Sequence, residues 1–226
     1  MEKGALYIVS TPIGNLGDIT YRAVEVLSRV DLIAAEDTRT SRVLLERYGI
    51  RTPVTSFHSH NQVQKTPVLL QRLQEGQSIA VISDAGTPGI SDPAYYLVTR
   101  AVEAGVEVVP IPGAAAFLAA LVVSGLPAHR FVFEGFLPAK KGRKKRLSQL
   151  AEEERTIVLY ESPHRLLKTL RELLEVLGNR KIAVARELTK KFEEIFRADL
   201  QTALAEFENR KVRGEFVLVV EGKQKK

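Results

Sequence analysis

The sequence predicts two α/β domains in tandem, and three observations lead there. Short aliphatic and β-branched runs without polar alternation recur, separated by amphipathic stretches, the pattern of strands covered on both faces by helices. Several of these runs are followed by loops crowded with Gly, Pro and small polar residues. A small-residue helix that stops at Gly125 and Pro127 then interrupts the scheme, after which the alternation starts again.

In chain order, ALYIVS (5–10), DLIAAE (31–36), the short PVTSF (53–57), SIAVIS (78–83) and VEVVPI (106–111) read as strands of a mostly parallel sheet. Amphipathic helices fit between them over 20–30, 40–48, 61–75 and 93–104. A helix at 114–124 opens the second half, so the expected domains are 1–113 and 114–226. There RFVFEGF (130–136), TIVLYE (156–161), KIAVARE (181–187), KFEEIFR (191–197) and EFVLVVEG (215–222) are strands. Helices are expected at 142–153, from Pro163 to Leu177, and at 199–208. Pro163 suits a first helical turn, Gly178 suits a C-cap, and Lys223 to Lys226 reads as a basic tail.

Composition narrows the chemistry. Of 226 residues, 45% are hydrophobic and 27% charged, which disfavours disorder, collagen and coiled coil. With no cysteine, disulfides, thiolate nucleophiles, Cys-ligated zinc and iron–sulfur clusters are excluded, and four histidines offer little for any metal site, so none is expected. No apolar run approaches the ~20 residues of a membrane span, and the opening MEKGALYIVSTP lacks a secretory pattern, so a cytoplasmic protein is expected. Charge is uneven: residues 1–126 hold 10 Lys+Arg and 12 Asp+Glu, or −2, whereas 127–226 hold 23 and 15, or +8. One half therefore suits a polyanion.

In parallel α/β sheets, ligands bind beyond the carboxyl ends of the strands. Three loops placed there are unusual: STPIGNLGDIT (10–20), SDAGTPGISDP (83–93) and PIPGAAA (110–116). Neither a P-loop nor an intact GxGxxG is present. The loops instead carry Asp18, Asp84 and Asp92, which would repel a triphosphate and favour a neutral or cationic ligand.

TPIGNLGDIT, AEDTR (35–39), SDAGTPGISDP, PGAAA, FEGFLP (133–138), YESPHR (160–165) and ARELTKKFEE (185–194) follow one another along almost the whole chain. In this the sequence resembles the RsmI family of tetrapyrrole-methylase-type (class III) methyltransferases. The resemblance implies two α/β domains with S-adenosylmethionine in the cleft between them, a homodimer, and 2′-O-methylation of a cytidine in the decoding region of 16S rRNA within the small ribosomal subunit. It places the cofactor against Pro12, Asp84, Gly86, Thr87, Pro112, Gly113 and Ala114, with further contacts from the second domain. Ala94 and Ala115 depart from the family's usual Gly and Ser or Asn.

A general base for a ribose hydroxyl would be a carboxylate or imidazole. The candidates are Glu36 and Asp37 at a strand end, His58 of FHSHN (57–61), and Glu161 of YESPHR. Asp37 could equally cap the next helix, Glu187 could pair with Arg186 or Lys190, His58 and His60 could be surface-loop residues, and His164 lies in a segment that could be an ordinary helix start. The run KKGRKKR, with Lys140, Lys141, Arg143, Lys144, Lys145 and Arg146, is expected to grip RNA phosphates together with Arg165. Phe57, Phe136 and Tyr160 are the aromatic side chains for base stacking. Two other readings stay open: a methyltransferase of the same fold acting on a small molecule, and a non-catalytic RNA-binding ribosome-assembly factor.

Overall fold

The computed structural model describes residues 4–92 and 94–224. Pro93, the first residue of one expected helix, and Lys225 and Lys226 of the expected tail lie outside the described residues, as do residues 1–3. The chain divides into two compact units, Met1–Ala115 and Ala116–Lys226, within the PGAAA segment.

In the first unit, β1 (Ala5–Val9), β2 (Leu32–Ala35), β3 (Val54–Ser56), β4 (Ile79–Ile82) and β5 (Glu107–Ile111) form a sheet of order β3-β2-β4-β1-β5, every pair parallel. β2 and β4 are buried along their whole lengths, which is why their sequences are apolar without alternation. Helices α1 (Tyr21–Arg29) and α2 (Thr38–Arg47) send Leu27 and Leu45 onto one face, against Ile33 and Ile82. Helices α3 (Gln62–Gln74) and α4 (Ala94–Glu103) send Leu69, Leu73 and Leu97 onto the other, against Leu6 and Val81. Burying each such side chain contributes about 1.5–3 kcal/mol, enough to hold the sheet rigid beneath its loops. β5 pairs only with β1, so this edge strand tolerates Pro110 and its missing donor. Neighbouring β1 and β4 run into helices on opposite faces, which makes the gap at their carboxyl ends the topological switch point of the sheet.

The second unit contains α5 (Ala116–Val123), β6 (Phe131–Phe136), α6 (Arg143–Ala151), β7 (Thr156–Glu161), α7 (Leu166–Leu177), β8 (Lys181–Arg186), β9 (Glu194–Asp199), α8 (Leu200–Glu208) and β10 (Phe216–Val220). The sheet order is β6-β7-β10-β8-β9. Here the expectation of a repeated parallel scheme fails. Only β6 and β7 are parallel, while β10 runs antiparallel to both β7 and β8, and β9 runs antiparallel to β8. The cause is the short link between β8 and β9, which has no crossover helix and so can join only antiparallel strands. Phe216, Leu218 and Val220 enter a core with Leu147, Leu170, Leu173 and Phe207 of α6, α7 and α8. By strand alternation Val217 and Val219 face the other side, and α5 packs against β7 and β10. Pro163 lies in a turn before α7, whose first residue is Leu166, and Gly178 does follow its end as the C-cap.

Candidate active site

At the switch point of the first unit, the loops after β1, β4 and β5 are knitted together. Thr11 and Gly86 exchange backbone hydrogen bonds of 2.8 and 3.0 Å in an isolated antiparallel bridge. The Thr11 hydroxyl donates to Ser83 O at 3.1 Å. Thr87 donates through Oγ1 to Ala114 O at 3.2 Å, so the Ser10 hydroxyl, 2.8 Å away, donates to Thr87. A Cβ at Gly113 would stand 2.8 Å from Ser10 Cβ, so only glycine lets the loop after β5 lie this close to the end of β1.

The end of β2 joins the same rim. Asp37 N–H donates to Asp84 Oδ1 at 3.0 Å, and Asp84 N–H donates to Glu36 Oε2 at 3.3 Å. Asp92 accepts a hydrogen bond from the Ser83 side chain; burial, then the charges of Glu36 and Asp84, push its carboxyl up to about 6. Burial also raises Asp84, and the Asp37 charge adds to this, against the Asp37 N–H and Arg39. Asp37 behaves differently. It caps α2 by accepting the Arg39 N–H at 2.8 Å and holds the Arg39 guanidinium with both oxygens, which drives its carboxyl well below the usual carboxylate range.

In the second unit, a buried polar network underlies the basic segment. Glu161, 2% exposed, accepts the Ser162 N–H at 2.8 Å and the Thr169 hydroxyl at 2.6 Å, with Arg165 Nε 3.4 Å away. Arg143, 3% exposed, donates to Thr169 Oγ1 and Glu172 Oε2, each at 2.7 Å, and to Pro138 O at 3.2 Å. Arg165 donates to Leu137 O at 2.5 Å. Two arginines therefore hold down the start of the loop that carries Lys140 and Lys141.

Comparison with known proteins decides the family. A family model described as Tetrapyrrole (Corrin/Porphyrin) Methylases matches residues 5–204. The chain belongs to the tetrapyrrole methylases. Within that family it is 58% identical over 221 residues to a Synechocystis protein named Ribosomal RNA small subunit methyltransferase I, covering 97% of this chain and 79% of that protein. A Thermotoga maritima protein of the same name is 48% identical over 221 residues, 98% of this chain and 100% of its own length. Among solved structures, a diphthine synthase superposes with a TM-score of 0.77 at 14% identity, over 98% of this chain and 91% of its own. The methyltransferase CobJ superposes with a TM-score of 0.72 at 22% identity, over 99% and 97%. These last two likenesses establish the tetrapyrrole-methylase fold alone.

For a tetrapyrrole methylase, the residues singled out in the sequence divide sharply by environment. Asp84, Pro112 and Gly113 are exposed on the rim, whereas Pro12 and Gly86 are buried and Thr87 spends its hydroxyl on its neighbours, so these three shape the loops from within. Glu161 is a buried strut with both oxygens occupied, which corrects its assignment as a base. Asp37 is a helix cap held as a carboxylate by Arg39, which makes it a poor proton acceptor. His58 N–H donates to Asn61 Oδ1 at 2.9 Å, which turns the Asn61 amide nitrogen toward Ser56 O and His58 Nε2, both at 3.3 Å. The same amide nitrogen also reaches Ser56 Oγ at 3.2 Å, so His58 Nε2 faces a donor fixed by its neighbours, while Nδ1 is a buried atom with no partner among the described residues.

Other cations need correction too. Arg143 is buried and cannot reach a phosphate. Arg146 forks onto the nearly buried Glu134, and Arg165 is half-buried on Leu137 O, so both are committed within the fold. Lys140, Lys141, Lys144 and Lys145 are exposed. Phe57 is 1% exposed and belongs to the core. Glu187 takes Lys190 as partner at 2.9 Å. Sequence reasoning missed Asp92 as a titrating group near neutrality and missed the strained turn at Glu187 and Thr189, with φ of +48° and +66°. The three aspartates of the Gly/Pro-rich loops were the available signal for the first; nothing local announces the second.

Proposed function

We propose that this chain methylates the ribose 2′-oxygen of a cytidine in the decoding region of the small-subunit (16S) rRNA, with S-adenosylmethionine as methyl donor. The observation that carries the reading is near-full-length identity of 48–58% to proteins named for small-subunit ribosomal RNA methylation. The rim fits that donor. It gathers Glu36 and Asp84 close enough to raise the Asp92 carboxyl, and the neighbouring guanidinium of Arg39 is engaged by Asp37. Such a surface attracts a cation and repels a polyphosphate.

When bound, the donor supplies a methyl group on a positively charged sulfur. Asp84 and the backbone of Pro112 and Gly113 would hold it, with Thr87, Ser10 and Thr11 fixing the loops so that little entropy is lost on binding. Glu36 and Asp92 are the rim carboxylates suited to hold the ribose proton, Asp92 because its carboxyl titrates at about 6, close to working pH. Lys140, Lys141, Lys144 and Lys145 bind phosphates of the rRNA. The active species is a cytoplasmic homodimer; among the described residues no helix is long and apolar enough to cross a membrane.

The test is mass-spectrometric mapping of ribose methylation on small subunits from cells lacking this protein, before and after its addition with donor. A cytidine that gains 2′-O-methyl only when the protein is added supports the reading; unchanged rRNA, or methylation on a base, overturns it.

A further inference from the structure

β6 is not a regular strand. Its register against β7 pairs Phe133 with Val158, then Gly135 with Leu159 and Phe136 with Tyr160, so Glu134 is an extra residue and Gly135 takes φ of +58°. This β-bulge re-aims the side chains beyond it. Phe133 and Phe136, three apart, would lie on opposite faces of a regular strand; here both lie on the face of Tyr160, with ring centroids 5.1 and 5.6 Å from it. Phe117 continues the row, 4.7 Å from Phe133, and its N–H donates to the Tyr160 hydroxyl at 3.3 Å. Phe133 and Phe117 are partly covered, but Phe136 at the end of the row is 54% exposed.

A singly exposed phenylalanine is ordinary, but this one ends an ordered row of rings, which holds a flat apolar surface open to solvent. Its surroundings indicate a ligand. Lys140 comes four residues later, at most about 14 Å along the chain, and Lys141, Lys144 and Lys145 come after that. The next two carbonyls after Phe136, those of Leu137 and Pro138, are held by Arg165 and Arg143, so ring and lysines are positioned by one anchored loop. An aromatic platform beside phosphate-binding cations is how single-stranded RNA is bound: the charges take the backbone and the ring takes an unstacked base.

We propose that Phe136 is a stacking platform for an unpaired nucleobase of the RNA substrate, presented by the Glu134–Gly135 bulge and backed by Tyr160. The proposal rests on the RNA-directed reading above and names a specificity feature of it: single-stranded or splayed substrate is preferred over duplex.

The chain contains no tryptophan, so Phe136→Trp installs a single fluorophore at the platform. It is titrated with a ten-nucleotide oligocytidylate, with inorganic polyphosphate of equal charge, and with S-adenosylhomocysteine; Tyr21→Trp on α1, in the first unit, is the control. The expected result is strong quenching of the platform indole by oligocytidylate alone, with little change in the control. In parallel, Phe136→Ala should weaken oligocytidylate binding about tenfold while Phe136→Tyr retains it, melting temperatures being unchanged. Equal quenching by polyphosphate or in the control, quenching by S-adenosylhomocysteine, or unweakened binding by Phe136→Ala would overturn the platform while leaving RNA binding intact. If the unsubstituted chain binds neither oligocytidylate nor small subunits, the RNA-directed reading itself falls.

Discussion

Asp84 and Asp92 share one rim but are set by different neighbours. Asp84 is exposed and takes a backbone N–H from Asp37, so it stands ready to face a cation. Asp84→Asn should keep the fold, with melting within a few degrees, and weaken S-adenosylmethionine binding by about 10–100-fold, the worth of one charged contact, measured by calorimetric titration. Asp92 titrates near 3.9 in an unfolded chain and at about 6 in the folded one. Folding therefore takes up a proton between those values: this group favours the folded state at pH 4 and loses that contribution as pH rises to 6. Asp92→Asn should abolish that fall, seen as a smaller drop in melting temperature from pH 4 to 6. A bound cation favours the carboxylate, so cofactor binding at pH 6 should release protons and tighten from pH 5 to 7, and the variant should do neither. Calorimetry in buffers of different ionisation enthalpy reads the proton count.

The loop from Leu137 to Gly142 and helix α6 combine two kinds of cation that look alike in sequence. Arg143→Ala removes the buried guanidinium that joins Glu172, Thr169 and Pro138 O and leaves Glu172 with the more distant Lys168, at a cost of about 3 kcal/mol in chemical denaturation. Replacing Lys140, Lys141, Lys144 and Lys145 together by Ala should leave stability almost unaltered, since all four are exposed. It should instead reduce the slope of log affinity against log salt by about 3 for single-stranded RNA, at about 0.7 per phosphate contact. A quadruple variant with the parental slope would show that these lysines do not touch the backbone of the RNA. The bulge in β6 and the turn at Glu187 and Thr189 are the other irregular pieces, and they fall in the FEGFLP and ARELTKKFEE segments.

Across the whole molecule, the two units divide their electrostatics: a mildly acidic half carries the carboxylate rim, and a half of charge +8 carries the lysines. The two binding events should therefore respond differently to ionic strength. Between 50 and 500 mM salt, RNA affinity should fall by orders of magnitude through counterion release, while S-adenosylmethionine affinity shifts by less than about threefold, because the rim contacts act over distances shorter than the screening length. Filter binding and calorimetry on the same preparation compare the two. Parallel losses would mean that donor and RNA bind through one shared charged surface.

Much of this was legible in residue order. Strands and helices followed from periodicity, the parallel first sheet from unbroken apolar runs such as LIAA and IAVI, and the meeting of Gly/Pro-rich loops at one rim from their place after those strands, because burial on both faces and strand order leave a local mark in the sequence. What only the tertiary structure decided depends on residues far apart in the chain. The antiparallel strands of the second sheet, the burial of Arg143 against Thr169, and the carboxyl of Asp92 pushed up to about 6 by burial beside Glu36 and Asp84 are of this kind. A charge in a sequence is the same whether it ends in water or in a core. Its solvation and its partners, which determine what it can do, are settled only when the chain closes on itself.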